Sequence, residues 1–205
     1  MANPIDRYRN MSKRQRMSLV IGVLFVLSII FVVSVLFFMI RTQPYSLYTN
    51  EEYGVSIKYP SDWEVVENPG GVPGSVVVFL APQQTAMDVF RVNINITAKP
   101  LPPSVQNINY FSKMAEKQLT GTFEGYVEVL ASGSQRFGGA PGHRFMYVAK
   151  GVDKNIKDFE YLQYLHVWGL HGDQAYILTY VAKKPEFKDF LGIFNTMTRS
   201  FKYIR

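Results

Sequence analysis

The feature that constrains this chain most is an uninterrupted apolar stretch near its N-terminus. The 23 residues from Ser18 to Ile40 include no charged residue and no proline, and only one glycine and three serines interrupt the large apolar side chains. As an α-helix this stretch would be roughly 34 Å long, which exceeds the bilayer's hydrocarbon thickness of about 30 Å. It lacks the polar stripe that a helix at the surface of a soluble domain carries. The sequence therefore predicts a single transmembrane helix over residues 18–40, in contact with the lipid bilayer.

The charges on the two sides of this stretch predict its orientation. Five basic residues and one acid precede it, whereas only Arg41 follows it closely. Basic residues near a membrane span stay on the cytoplasmic side. We therefore expect a single-pass protein of the cell membrane, with residues 1–17 as a basic cytoplasmic tail and the C-terminal part extracytoplasmic. The five basic residues are Arg7, Arg9, Lys13, Arg14 and Arg16.

A cleaved secretory signal is the alternative interpretation of the same stretch. The apolar part of such signals usually runs 7–15 residues and ends at a site with small residues. The stretch here is longer, and the sequence FFMIRTQPYS at its end offers no such site. These differences favour a retained signal anchor.

The net charge of +6 belongs almost entirely to the membrane flank. Residues 1–41 hold six basic residues against one acid, and residues 42–205 hold 16 basic residues against 15 acids. The outer part is thus nearly neutral and has no basic stripe for a phosphate backbone, so we expect no nucleic-acid partner. The chain has no cysteine, which excludes disulfides and thiolate metal sites.

The sequence of the outer part predicts one α+β domain at 48–205, joined to the span by a linker at 41–47. That linker would keep the domain within about 20 Å of the bilayer. Period-2 alternation predicts strands, and apolar residues at steps of three and four predict amphipathic helices. Because short loops join successive strands, the sheet should be mainly antiparallel. The predicted order is strands at 55–59, 63–66, 75–81 and 90–98, a helix at 104–119, strands at 126–134, 143–150, 159–170 and 174–182, and a helix beginning at Pro185.

Several short motifs of this outer part resemble PsbP-like domains. The most telling are Tyr53-Gly54 followed by Tyr59-Pro60-Ser61-Asp62-Trp63, and the sequence Gly142-His143-Arg144-Phe145. The resemblance covers about residues 45–203 and implies an antiparallel sheet sandwiched by helices. It also implies a non-enzymatic accessory subunit that docks on a membrane complex. Photosynthetic members of that family are soluble after processing, whereas this chain keeps an apolar anchor, so a photosystem role does not follow from the resemblance.

No catalytic or metal-binding constellation stands out in the sequence. There is no G-x-S-x-G motif, no phosphate-binding loop and no cysteine nucleophile, so we expect no enzymatic activity and no cofactor. His166, His171 and Asp173 are weak metal candidates, because they follow one another closely but lack an H-x-x-x-H spacing. Turn and edge positions explain these histidines as well. Asn95-Ile96-Thr97 matches the N-glycosylation pattern, which also recurs by chance.

The sequence leaves two classes of function open. The preferred hypothesis is an accessory or assembly subunit whose outer domain docks on a larger membrane complex. The alternative is a module that binds a small molecule or metal ion in a pocket near the hairpin of the two long strands. Trp63 and Trp168 could line such a pocket or simply fill the core. For docking, the predicted strand at 90–98 carries a polar face, which suggests a position at a sheet edge or an uncovered patch. The residues of that face are Arg91, Asn93, Asn95 and Thr97.

Overall fold

The apolar stretch is helical in the computed structural model of the chain, and a separate β-rich unit follows it. The structure describes residues 12–41, 44–70, 74–83, 90–105, 107–123, 127–150 and 161–204. These residues divide between two compact units, Met1–Pro44 and Tyr45–Arg205. Arg7 and Arg9, which contribute to the predicted orientation, lie outside the described residues.

Helix α1, Lys13–Arg41, contains the predicted span. A reciprocal cap fixes its beginning: the Ser12 N–H donates to Gln15 Oε1 at 3.0 Å, and the Gln15 N–H donates to Ser12 Oγ at 3.3 Å. This is the capping-box arrangement, which satisfies two backbone donors that a helix start leaves unpaired. Among the described residues, α1 alone is long and apolar enough to cross a membrane.

The second unit begins at Tyr45 and consists of two helices with strands before, between and after them. Alternating apolar residues and the turns between them place most of these elements where the sequence predicts them. In chain order they are β1 Tyr45–Asn50, β2 Val55–Pro60, β3 Glu64–Glu67, β4 Ser75–Leu80, β5 Asn93–Pro100, α2 Ile108–Gly121, β6 Val127–Phe137, β7 Ala140–Lys150, β8 Tyr161–His171, β9 Gln174–Lys183, α3 Phe187–Ser200 and β10 Lys202–Tyr203.

The strands form two antiparallel sheets. The larger sheet has the order β3-β4-β5-β9-β8-β7-β6, and the smaller one has the order β1-β2-β10. Every strand pair between described residues is antiparallel. The predicted mainly antiparallel α+β fold is therefore confirmed. The β8–β9 hairpin lies at the centre of the larger sheet, as its apolar composition predicts.

The larger sheet buries an apolar core on each of its faces. On one face, α3 and the smaller sheet pack over side chains such as Leu178 and Tyr180, and Phe194 of α3 is 1% exposed. On the other face, α2 packs over aromatic side chains that include Tyr147 and Trp168. Alternate side chains of a strand point to opposite faces. The central strands can therefore be apolar throughout, because each face has its own cover.

Two strands of the smaller sheet do not appear in the sequence prediction. Residues 45–47, predicted as part of the linker, begin β1, and β10 follows the last helix. Strand β1 buries only Tyr48, while Leu47 points outward and is 64% exposed. With one buried side chain it shows little alternation, and β10 has only two residues, too few to show a period. In the described part of the chain, five strands thus precede α2, rather than the predicted four.

Turns and helix starts also differ from the prediction in instructive ways. The strands predicted at 126–134 and 143–150 extend towards each other: Gly138 and Gly139, both with positive φ, make a two-residue turn, and Pro141 already lies in β7. Two successive positive φ angles suit the twist of a tight hairpin. Helix α2 begins four residues later than predicted, because the Asn107 side chain caps it by accepting from the Tyr110 N–H at 3.0 Å. Pro185 lies in the turn before α3 rather than in its first turn.

Candidate functional site

His166 lies in the core beneath α2 rather than at a sheet edge. Its side chain is 5% exposed, with Nδ1 3.0 Å from Thr179 Oγ1 and Nε2 3.3 Å from the Tyr147 hydroxyl. Burial, together with the smaller effect of the nearby Lys99 charge, lowers the pKa of His166 to about 3. His166 is therefore a neutral, hydrogen-bonded core side chain at neutral pH.

The structure does not bring the three weak metal candidates together. His171 is five residues beyond His166 on β8, and two positions an odd number apart point to opposite faces of a sheet. Its ring stacks on Tyr203 with centroids 4.3 Å apart. Asp173 lies in the tight turn after β8, where its carbonyl accepts from the Leu101 N–H. In the part of the chain that the structure describes, no three His, Cys, Asp or Glu side chains are placed to hold a metal ion.

Of the two positions expected for the strand with the polar face, a sheet edge or an uncovered patch, the sheet edge is wrong. Strand β5 is the third of seven strands, paired with β4 on one side and β9 on the other. Asn93 and Asn95 are half-buried, and Thr97 is buried. Because β5 is paired on both sides, its polar side chains do not mark an open sheet edge. A docking role for these residues stays a prediction.

Arg91 makes internal contacts just before β5. Its Nε and Nη2 donate to the Ala81 carbonyl at 2.9 and 2.8 Å, and its Nη1 lies 2.6 Å from Glu64 Oε2. The guanidinium thus joins β3, the segment after β4 and the start of β5. These bonds indicate a structural role for Arg91.

A hydrogen-bonded trio that sequence analysis missed attaches α2 to the sheet. Ser132 Oγ on β6 donates to Glu116 Oε1 on α2 at 2.6 Å. His143 Nε2 on β7 lies 2.7 Å from the same oxygen and 3.1 Å from Ser132 Oγ. The residue types are those of a serine hydrolase, but there the carboxylate and the serine bind different ring nitrogens. Here one nitrogen meets both groups, so the trio is a tether and not an activated nucleophile.

A second attachment of α2 comes from the core. The Trp168 indole N–H donates to Ser112 Oγ at 2.9 Å, and the Phe111 and Trp168 rings meet edge to face with centroids 6.3 Å apart. The sequence predicts the apolar stripe of α2. It does not predict the trio, because the distance from Glu116 to His143 depends on how the helix lies on the sheet.

Between α2 and the sheet is a cavity of about 270 Å³. The sheet contributes residues from β5, β8 and β9, including Thr97, His166 and Thr179, and α2 contributes mostly apolar side chains. The cavity thus combines apolar walls with a few polar groups, which is the usual composition of a small-molecule site. It lies at the β8–β9 hairpin, the region where the sequence analysis placed its alternative, a ligand-binding pocket.

Comparison with known proteins identifies the fold. The sequence matches no protein-family model and no curated protein sequence. The structure is similar to the solution structure of cyanobacterial PsbP (CyanoP) from Synechocystis sp. PCC 6803, with a TM-score of 0.58 and 16% identity, covering 79% of this chain and 94% of that one. It is also similar to LpqN, involved in cell envelope biogenesis of Mycobacterium tuberculosis, with a TM-score of 0.57 and 12% identity over 80% and 88% of the two chains. A third similar structure is the Saccharomyces cerevisiae Ran-binding protein Mog1p, with a TM-score of 0.55 and 8% identity over 80% and 97%.

These similarities confirm the PsbP-like fold that the sequence motifs predict. At 16% identity or less they concern the fold alone, and one fold can serve proteins with different roles. The chain combines a PsbP-like domain with an N-terminal helix able to span a membrane.

Proposed function

We propose that the protein is a membrane-anchored accessory subunit whose outer domain docks on a larger membrane protein complex. In this proposal α1 stays in the bilayer as a signal anchor, residues 1–17 are cytoplasmic, and the PsbP-like domain lies outside. The protein has no enzymatic role. One observation carries the proposal: a membrane-capable helix precedes a PsbP-like domain with only three residues, 42–44, between α1 and β1.

The internal hydrogen bonds of α1 support a membrane location. Ser28 Oγ donates to the Phe25 carbonyl at 2.8 Å, and Ser34 Oγ donates to the Ile30 carbonyl at 2.7 Å. In hydrocarbon every polar group needs a partner within the protein, so these bonds remove the cost of placing serine there. The apolar side chains around them are exposed, Phe31 at 69%, as a lipid-facing helix requires.

The fold is compatible with binding another protein. One of the similar structures is named a Ran-binding protein, so a PsbP-like fold can serve a protein partner in at least one case. The partner proposed here is a membrane protein complex, because a short linker would hold the domain next to the bilayer.

Strand β6 is the docking element that the structure favours. It is an edge strand of 11 residues, and in the described part of the chain its outer side pairs with no other strand. Val129 and Leu130 are 51% and 40% exposed on it. An open edge offers backbone donors and acceptors to an extended segment of a partner. The opposite edge, β3, has four residues and a glutamate at each end, which suits it less.

Purification from membranes tests the proposal. The full-length protein, extracted in mild detergent, should bring the same membrane proteins in stoichiometric amounts in each preparation, identified by mass spectrometry. A variant with α1 replaced by an unrelated transmembrane helix is the matched control, and it should retain these partners because the domain carries the contacts. Loss of all partners on that replacement, or a partner-free protein from the start, would contradict docking by the domain.

The second candidate function is binding of a small molecule, and the cavity beneath α2 favours it. A molecule that stays bound to the purified protein would support this function. The two functions do not exclude each other. Only the accessory-subunit function requires a stoichiometric partner.

A further inference from the structure

The cavity beneath α2 has walls suited to an aromatic ring. Phe111 and Trp168 contribute ring edges and faces, and Met114 adds a thioether. Aromatic rings pair favourably in offset or edge-to-face geometry, and sulfur contacts to ring edges are favourable as well. An aromatic ligand would therefore gain more from these walls than an aliphatic one of equal size.

The size of the cavity suits a small ligand. A volume of 270 Å³ corresponds to roughly nine water molecules at the volume each occupies in the liquid. Pockets for drug-sized ligands usually have about 300–1,000 Å³, so this cavity lies just below that range. One aromatic ring with a short substituent fits this space.

The charge at the cavity selects the substituent. Among the described residues that line the cavity, Lys99 is the only charged one, and no acid lines it. Lys99 is exposed, so its ammonium lies at the rim of the cavity. It is close enough to interact electrostatically with His166 inside the cavity. His166 is neutral and uses both ring nitrogens within the protein. An anionic substituent at the rim would be attracted by the Lys99 ammonium. A cationic substituent would be repelled by it, and no acid lines the cavity to offset that repulsion.

We propose that this cavity binds a monocyclic aromatic carboxylate, with the ring between α2 and the sheet and the carboxylate at Lys99. The proposal rests on the second candidate function, ligand binding by the domain, and names the ligand class. Thr97 and Thr179 line the floor and supply hydroxyl groups to a polar ring substituent.

The chain provides its own reporter and internal control for a binding test. It has two tryptophans: Trp168 lines the cavity, and Trp63 packs against Phe190 in the core of the opposite face. Full-length ¹⁵N-labelled protein in detergent micelles is titrated with phenylacetate, and the two indole N–H resonances are followed. The Trp63→Phe variant assigns them. We expect a saturable shift of the Trp168 resonance and no shift of the Trp63 resonance.

Matched ligands and variants test the ligand class. Phenylacetate should bind about tenfold more tightly than the neutral phenylacetamide, because a charge-assisted bond to Lys99 is lost with the amide. Phenethylamine should bind more weakly still. Lys99→Gln should abolish the difference between the acid and the amide, while Lys113→Gln, on the exposed side of α2, should preserve it. Ala115→Leu, with an unchanged spectrum elsewhere, should prevent binding by filling the cavity.

Each unfavourable result has a distinct meaning. Equal binding of phenylacetate and phenethylamine, or a preference that survives Lys99→Gln, would overturn the carboxylate class and leave ligand binding intact. Retention of a different molecule in the cavity through purification would do the same. A Trp168 resonance that no probe shifts, with no retained molecule found by native mass spectrometry, would overturn the ligand class and the second candidate function together.

Discussion

At the scale of single residues, the clearest chemical consequence concerns His166. Both its ring nitrogens are hydrogen-bonded in a buried site, and the pKa of the folded protein's His166 is lowered to about 3 from an ordinary value of 6.5. Between these two pH values, the unfolded chain therefore binds a proton at His166 that the folded protein does not bind. The free energy of unfolding should therefore fall as the pH drops from about 6.5 towards about 3.

The His166→Gln variant tests this pH dependence. Between pH 7.5 and pH 5.5, the free energy of unfolding of the wild-type protein should fall by about 1–1.5 kcal/mol more than that of the variant. Urea unfolding of the full-length protein in micelles, followed by tryptophan fluorescence, reports on the outer domain because both tryptophans lie in it. The control His171→Gln leaves His166 in place and should behave like the wild type. Equal pH dependence of His166→Gln and wild type would contradict a buried neutral histidine.

Arg91 gives a second prediction at this scale. Arg91→Gln should lower the free energy of unfolding by about 1–2 kcal/mol, because the variant lacks the guanidinium that donates two hydrogen bonds to the Ala81 carbonyl and one to Glu64. Glu64 is 54% exposed, so a double-mutant cycle with Glu64→Gln should give a coupling below about 1 kcal/mol. A loss of stability that this coupling fully accounts for would show that the carbonyl bonds contribute nothing.

At the scale of elements, α2 covers one face of the larger sheet. Apart from its apolar stripe, it is held by the bond from Trp168 to Ser112 and by the trio of Glu116, Ser132 and His143. Since α2 covers the cavity, these attachments also determine how readily the cavity opens.

Removing the trio should loosen α2 alone. Glu116→Ala should raise the hydrogen-exchange rates of α2 amides about fivefold, which corresponds to the loss of about 1 kcal/mol, while exchange in β8 and β9 stays unchanged. Lys113→Ala, an exposed position on the same helix, controls for the effect of truncation as such. Faster exchange throughout the domain would show that the trio stabilises the whole fold rather than one helix.

The elements also show how far the sequence predicts this structure. The stripes of α2 and α3 and the long apolar strands β8 and β9 could be located because their periodicity extends over ten residues or more. Strands β1 and β10 could not, since β1 buries only one side chain and β10 has only two residues. The edge position expected for β5 failed because β5 pairs with β4 on one side and β9 on the other, and sequence periodicity does not show strand order.

The candidate site shows the same limit. The hairpin that lines the cavity could be predicted, and so could the core position of aromatic residues such as Trp168. The convergence of Thr97, Lys99 and His166 depends on strand order, in which β5 pairs with β9 across a long stretch of intervening sequence. No local pattern contains that information.

At the scale of the whole molecule, the orientation of α1 decides on which side of the membrane the domain lies. Protease added to intact cells should digest the domain that follows the span and leave residues 1–17 protected, because the basic residues before the span stay in the cytoplasm. Tags placed at the two termini and detected by immunoblot provide the measurement. Detergent-permeabilised cells, in which both tags should become sensitive, are the control. Digestion of the N-terminal tag alone would reverse the predicted topology.

In the function proposed above, the outer domain docks on a membrane complex, with β6 as the contacting element. Site-specific photocrosslinking in intact cells tests this claim most directly, with a photoreactive amino acid at Leu130 on β6 or, as a matched exposed control, at Lys188 on α3. We predict one discrete adduct with a membrane protein from position 130 and none from position 188. Adducts from position 188 with none from position 130 would place docking elsewhere on the domain. The absence of any membrane-protein adduct from either position, with the protein running as a monomer after mild extraction, would contradict the proposed function.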